Sequence, residues 1–451
     1  MASQYTGGAV QVGPRLDRLP ICGFHWNLLL LIAGGLCLDS FDIYIGGSVL
    51  GTLVKEGWST LELNAWFVTM TFVGLVIGAW SAGLVGDRYG RRVSYQLNLA
   101  IFGLASFAAA FAPSMYVLIL LRFIMGIGLG AELVIGYGTF AEFVPPSQRG
   151  RMVGILACAS NSTVFFAALI SLWVIPTLGW RALFALVGVL AVVVWFARKA
   201  MPESPRWLES KGRLAEADAI VATMEARAAR TRPLPPVGVS AAAAETSPPL
   251  SALFGPAHLR STIVGSVVMV VIGISIYGFV GWLPTFFVKQ GHSIVTSLSW
   301  SMIMSLGGPT GALIGLFLAD RFGRKPLLVT FAVLAALIGV IYHGLASDSE
   351  LLFAGFCLVT TLYTIVVVGQ AIYVPELFPT NIRMRGTGVC STAGRLTSAV
   401  IQFIIIAIFN LGGISDVIMF VVAALVLLAG TVAIFGRETA KAPLEVLHAN
   451  S

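Results

Sequence analysis

Along the chain, long apolar stretches alternate with short polar connections. About twelve such stretches can be marked, over residues 26–52, 61–85, 93–112, 115–140, 152–176, 181–199, 261–287, 296–319, 326–345, 351–374, 387–410 and 416–436. Each is near the ~20 residues that an α-helix needs to cross a hydrocarbon core. The pattern predicts an all-α membrane protein with twelve transmembrane helices. One connection, 200–259, is long. Its stretch from Glu209 to Arg230 is rich in Ala, Glu, Lys and Arg, a helical composition without an apolar face wide enough to span. Arg232-Pro233-Leu234-Pro235-Pro236 then ends that helix. The predicted organisation is a polar tail over 1–25, a six-helix bundle over 26–199, a linker over 200–259, a second bundle over 260–436 and a tail over 437–451.

Charged motifs recur between the two bundles. Asp87-Arg88-Tyr89-Gly90-Arg91-Arg92 returns as Asp320-Arg321-Phe322-Gly323-Arg324-Lys325, 233 residues later. Glu142, Pro145, Arg149 and Arg151 return as Glu376, Pro379, Arg383 and Arg385, 234 residues later, and Glu203 returns as Glu438. Near-equal offsets make the chain a duplicated six-helix unit, so the bundles are expected to be pseudo-symmetric.

Composition sharpens the class. The chain is 57% hydrophobic and 11% charged, whereas soluble domains carry about 25% charged residues. Gly74/Gly78, Gly126/Gly130 and Gly311/Gly315 repeat at the spacing of close helix contacts. The net charge of +7 sits in short clusters between apolar runs, which argues against nucleic-acid binding. Lys and Arg concentrate in alternate connections, which places both termini in the cytoplasm. The five cysteines are scattered without metal-ligand spacing. No nucleophile–base set or phosphate-cradling loop points to an enzyme, and no cofactor is expected.

A few charges lie inside the apolar runs, where they cost at least about 2.5 kcal/mol and need a partner or a watery path. Asp39 and Asp42 are three residues apart on the first helix and share a face. Arg122 and Glu132 lie on the fourth helix, and Arg395 on the eleventh, with Ser391, Ser398 and Gln402 near it. A guanidinium in a bilayer requires an anion, supplied by a protein acid or by a substrate.

The duplicated Asp87 motif, the Glu-x6-Arg pairs and Pro202-Glu203-Ser204-Pro205-Arg206-Trp207-Leu208 resemble the major facilitator superfamily, in its sugar-porter and organic-ion branches. Asp39-Ser40-Phe41-Asp42 resembles the Asp-Gly-x-Asp signature of bacterial aromatic acid:proton symporters and niacin transporters, with Ser40 replacing the glycine. The seventh helix, Ile276 to Thr285, lacks the polar run of sugar porters. The resemblance implies proton coupling by Asp39, Asp42 and Glu132, assisted by Arg122. Arg122 also reads as a helix-end residue reaching for the interface. Glu132 is expected to partner the first helix, sharing a proton with Asp39, since nearby like charges favour a shared proton. The fold further implies a cavity lined by Phe41, Tyr44, Tyr277, Trp282 and Tyr363, with Arg395, Gln402, Asn161 and Gln370 as polar contacts. Asp87, Arg88, Arg91, Glu142, Arg149, Glu203, Arg206, Asp320, Arg321, Glu376 and Arg383 are implied to latch the halves together and release them.

The expected function is proton-gradient-driven uptake of a small organic acid, an aromatic carboxylate such as nicotinate or hydroxybenzoate, across a bacterial inner membrane by a monomer. An organic-cation, drug or sugar transporter of the same superfamily is the first alternative. A membrane receptor that binds its ligand without moving it is the second.

Overall fold

The computed structural model describes residues 12–230, 232–237, 249–345, 347–379 and 382–439. Six long helices build the first half: α1 (Gly23–Lys55), α2 (Leu61–Tyr89), α3 (Arg91–Ala109), α4 (Met115–Phe143), α5 (Pro146–Leu178) and α6 (Trp180–Arg198). The second half holds α7 (Pro256–Lys289), α8 (Ile294–Ser305 continuing as Gly307–Phe322), α9 (Arg324–His343) and α10 (Asp348–Glu376). Arg383–Phe435 supplies α11 and α12 as one helical run broken at Gly412 and Gly413, whose backbones leave helical geometry. Twelve spans in two six-helix bundles is the major facilitator fold.

The helices outrun their apolar stretches at the end of the molecule that carries the arginine motifs. α5 begins at Pro146 rather than 152, and α4 ends at Phe143 rather than 140. Polar residues cost nothing where a helix leaves the membrane, so hydropathy marks the spanning part and misses the overhang. Within the bundles, small residues set helix spacing. Gly74 and Gly78 of α2 lie against the backbone of α4 at Gly126 and Ile127, and Gly311 of α8 lies against Thr360 of α10. α7 and α10 are not regular helices: Gly273–Phe279 and Val367–Tyr373 are π-type turns. Such turns widen the helix and interrupt its bonding ladder in the middle of the membrane, frequently at functional sites.

The described part of the N-terminal tail is a docked element; residues 1–11 and 440–451 lie outside the described residues. Val12–Asp17 forms a short helix against the linker helix Leu214–Ala229. Val12, Leu16 and Leu19 join Ala217, Val221 and Met224 in one apolar cluster. Arg15 binds Asp218 at 2.5 Å and Glu225 at 2.7 Å, and Arg18 binds Glu225 at 2.6 Å. Partial burial opposes ionisation of Glu225, yet hydrogen bonds from Arg15 and Arg18 and their charges outweigh it and hold the carboxyl below its ordinary value. A depressed carboxyl stabilises the clamp above the usual glutamate pKa and loses that contribution as pH falls through the lowered value. Hydrogen exchange in residues 12–19 should therefore stay slow at neutral pH and accelerate only in acid. Glu225→Gln should remove most of that acid sensitivity.

Candidate functional site

Two charge clusters stack along α1, both turned into the first half. In the outer one, Arg122 of α4 is ion-paired to Asp42 and also donates to the Asp42 carbonyl at 3.1 Å. Its guanidinium lies over Phe67 at 4.5 Å and near Phe184 at 5.2 Å. Both charges are buried, so Arg122 is no interfacial helix-end residue.

Ten residues along α4 from Arg122, toward the arginine-motif end, Glu132 is ion-paired to Arg198, the last residue of α6. Glu132 Oε1 also lies against Gly35 of α1, the helix it was expected to partner. The guanidinium also donates to the carbonyls of Leu31 at 3.0 Å and Ile32 at 3.1 Å and lies 4.8 Å from the Tyr95 ring. Gly35 makes room for it, since a Cβ there would overlap the guanidinium. Asp39 lies within electrostatic reach of Glu132, Arg198 and Asp42. Asp39 is 1% exposed, and neither carboxylate oxygen has a hydrogen-bond partner among the described residues. Arg198 is the residue that sequence reasoning missed. It closes a helix beside a basic connection, where an arginine reads as a topology signal.

The opposite face of α1 meets α5 and the second half. The Ser40 hydroxyl bonds Ser160 of α5 at 2.6 Å, and Tyr44 lies within electrostatic reach of Tyr277 and Tyr363. Farther out, α1 packs on α7 with Gly47 against the Gly281 carbonyl and Gly51 against Pro284, contacts with no room for a side chain. Tyr277 also stacks edge-on with Phe72, with ring centroids 4.6 Å apart, and the Thr69 hydroxyl donates to the Ala399 carbonyl at 2.7 Å. The end away from the arginine motifs is therefore closed. Between the halves toward the other end, Tyr44, Asn161, Tyr277 and Arg395 are half-buried and Gln370 is exposed.

Arg395 lies within electrostatic reach of Tyr277, and among the described residues no carboxylate pairs with it. The other predicted contacts divide. Gln402 is buried, accepting from Trp282 Nε1 at 2.6 Å and donating to the Ser398 carbonyl at 2.7 Å. Trp282 and Gln402 thus brace α7 on α11 through a buried hydrogen bond. Phe41 is likewise core of the first half, and Tyr363 is fully buried. Asn161 spends its amide N–H on the Ala157 carbonyl at 2.8 Å.

Among the described residues, the arginine-motif ion pairs join groups of the same half. Arg91 binds Asp87 at 2.8 Å and Glu142 at 2.9 Å, while Glu203 accepts the N–H of Arg91 at 2.8 Å and of Arg92 at 3.2 Å. The duplicate repeats the design: Arg324 binds Glu376 at 3.1 Å, and Glu438 accepts the N–H of Arg324 at 3.0 Å and of Lys325 at 3.1 Å. Gly90 and Gly323, at φ of 97° and 90°, turn the chain so that each new helix presents its free N–H groups to that glutamate. Arg206 joins Asp17 at 2.6 Å and the Glu142 carbonyl, Arg149 donates to the Val144 carbonyl, and Arg383 donates to that of Phe378. Arg88 lies over Tyr89 and Arg321 is exposed; the Asp320 side chain lies outside the described residues. The Asp87 side chain is 76% exposed, so its motif is undocked from the other half in this state.

The profile of the family described as "sugar (and other) transporter" matches residues 28–450. The inner membrane metabolite transport protein YdjE of Escherichia coli (strain K12) is 35% identical over 441 residues, covering 96% of this chain and 98% of that protein. The niacin transporter NiaP of Acinetobacter baylyi (strain ATCC 33305 / BD413 / ADP1) is 32% identical over 440 residues, with the same coverage of 96% and 98%. Among solved structures, the xylose transporter XylE from E. coli, partially occluded and inward open, superposes with a TM-score of 0.73 at 19% identity, covering 92% of this chain and 98% of that one. A helical membrane fold in two halves is thus matched by relatives that are transporters and not enzymes, and the chain belongs to the sugar (and other) transporter family of the major facilitator superfamily.

Proposed function

We propose that the protein imports a small aromatic carboxylate together with a proton, with the arginine-motif end and both termini in the cytoplasm of a bacterial inner membrane. The observation that carries this reading is Arg395, a half-buried guanidinium with no carboxylate partner among the described residues. A fixed cation in that setting selects an anion, and its planar fork suits a carboxylate. Tyr277 and Tyr44 beside it supply ring faces for an aromatic cargo, and the niacin-transporting relative carries a substrate of that class. Charge balance fits as well. The first half buries three acids, Asp39, Asp42 and Glu132, against two arginines, Arg122 and Arg198. One proton neutralises that half and one monovalent anion neutralises Arg395, so the loaded carrier crosses its occluded state without net charge. Alternation then consists of opening the α1–α7 contact while the Asp87 motif docks on the second half, and reversing both.

Proteoliposomes with an acidic exterior should accumulate labelled nicotinate, and excess unlabelled benzoate should compete while a quaternary amine should not. Competition by the amine alone would assign the site to cations. Saturable binding without accumulation would make the protein a receptor.

A further inference from the structure

The duplicated halves differ where the last helix of each meets the first, and the difference leaves an open groove. The 235-residue offset that carries Glu203 onto Glu438 also carries Arg198 onto Ala433, and Leu31 and Ile32 onto Ser266 and Val267. In the first half the Arg198 side chain fills the space between α6 and α1, donating to the Leu31 and Ile32 carbonyls. Ala433 is exposed and has no side chain long enough to reach across. Ser266 and Val267 instead line a groove of about 320 Å³ between α7 and α12. Ile263, Val270 and Ile274 continue its wall on α7, with Ala424 and Leu427 facing them from α12. Its polar lining is slight, and the Thr262 hydroxyl there is spent on the Leu253 carbonyl at 2.9 Å. Exposed Leu259 and Phe254 mark its end on the arginine-motif side. From Leu259 to Ile274 the helix rises about 22 Å, roughly half of a bilayer with its headgroups. The groove therefore spans one leaflet.

The geometry points to a bound anionic phospholipid of that leaflet, with one acyl chain in the groove and its phosphate on Arg260. An apolar groove open to the hydrocarbon takes a chain and not a free anion. Arg260 supplies the charge at headgroup level. It is exposed, and its Nε donates to the Phe435 carbonyl at 2.7 Å, which fixes the guanidinium where α7 meets the end of α12. No carboxylate pairs with it among the described residues, so its terminal nitrogens can fork onto phosphate oxygens. Lys325, donating to the next carbonyl, Gly436, at 3.0 Å, adds a second positive charge beside it. The acid of this corner, Glu438, is turned to the N–H groups of Arg324 and Lys325. A zwitterionic headgroup would bring its own cation to the same place, so an anionic lipid is favoured. The deep end of the groove reaches the moving parts. Ile274 lies inside the π-type turn Gly273–Phe279, just before α7 meets α1 at Gly281 and Pro284. A chain packed there supports α7 from its lipid side and holds it in the position that closes the outer end.

Native mass spectra of the purified protein, given equal amounts of phosphatidylglycerol and phosphatidylcholine with the same chains, provide the test. Wild type should retain one phosphatidylglycerol, preferred by roughly tenfold. Arg260→Gln should bring the two lipids near equality. Val267→Phe fills the groove and should retain neither. Leu427→Trp should do the same from α12, at an exposed position where added bulk meets no core. Glycerol 3-phosphate, the same phosphate without chains, should not displace the lipid. Hydrogen exchange over 273–279 should slow severalfold in phosphatidylglycerol relative to phosphatidylcholine for wild type, and not for Arg260→Gln. Equal retention of the two lipids by wild type, or a preference that survives both filling variants, would make the groove ordinary lipid boundary and overturn the inference. Displacement by glycerol 3-phosphate would overturn it too, by assigning Arg260 to a soluble anion. Exchange that ignores the lipid would refute its hold on α7.

Discussion

Replacing Arg395 with alanine is expected to reduce uptake at low substrate concentration by ~100-fold or more while leaving the protein folded. Truncating one member of a buried, hydrogen-bonded charge pair costs about 2–5 kcal/mol, or roughly 30- to several-thousand-fold in affinity. Arg395→Lys keeps the charge but replaces a planar fork with a point donor, so it should retain about a tenth of the activity. The folding side of the prediction is as definite. No acid among the described residues depends on Arg395 for neutrality, so its removal strands no buried charge. Thermal unfolding of Arg395→Ala should match wild type without substrate, and it should lose the upward shift that nicotinate gives wild type. Normal uptake would exclude the anion site. A collapse in stability would instead make Arg395 part of the framework.

That contrast, between a cation waiting for cargo and cations already satisfied, was only partly visible in the sequence. Span number, duplication and the polar linker were legible because each is a property of local composition. A twenty-residue apolar run has few alternatives in a bilayer, and the Glu203 and Glu438 motifs announce their equivalence by their offset. The rotation of each helix about its axis was less legible. Asp39 and Asp42 share a face, as their spacing requires, but only packing shows that the face turns into the first half. Gln402 and Trp282 follow the same logic. They lie at suitable positions on α11 and α7, and only packing shows that they bond each other. Arg198 was hidden for a different reason. A long side chain at a helix end reaches back toward the membrane interior, to carbonyls at Leu31 and Ile32, and hydropathy does not register that reach. The arginine motifs were legible as a duplicated set, while their partners within each half show only in the packing. Each half closes its own ring of helix N-terminus, glutamate and arginine before it meets the other.

The outer pair offers the second large effect, on stability. Asp42→Ala should destabilise the protein by about 3–5 kcal/mol, because it leaves Arg122 sealed between Phe67 and Phe184 without a counter-ion. Replacing both members by apolar residues of similar size, Asp42→Leu with Arg122→Met, should recover most of that loss, since no charge is left to desolvate. Thermal unfolding in detergent reads both variants on one scale. The double variant also separates two roles for the pair. Were Asp42 the proton carrier, restoring the fold would leave accumulation uncoupled from the pH gradient. A refolded double variant that still accumulates nicotinate in response to the gradient would leave the pair a structural role alone. A single alanine variant as stable as wild type would mean that water reaches Arg122 from a side that the packing of Gly46 and Phe67 around it closes.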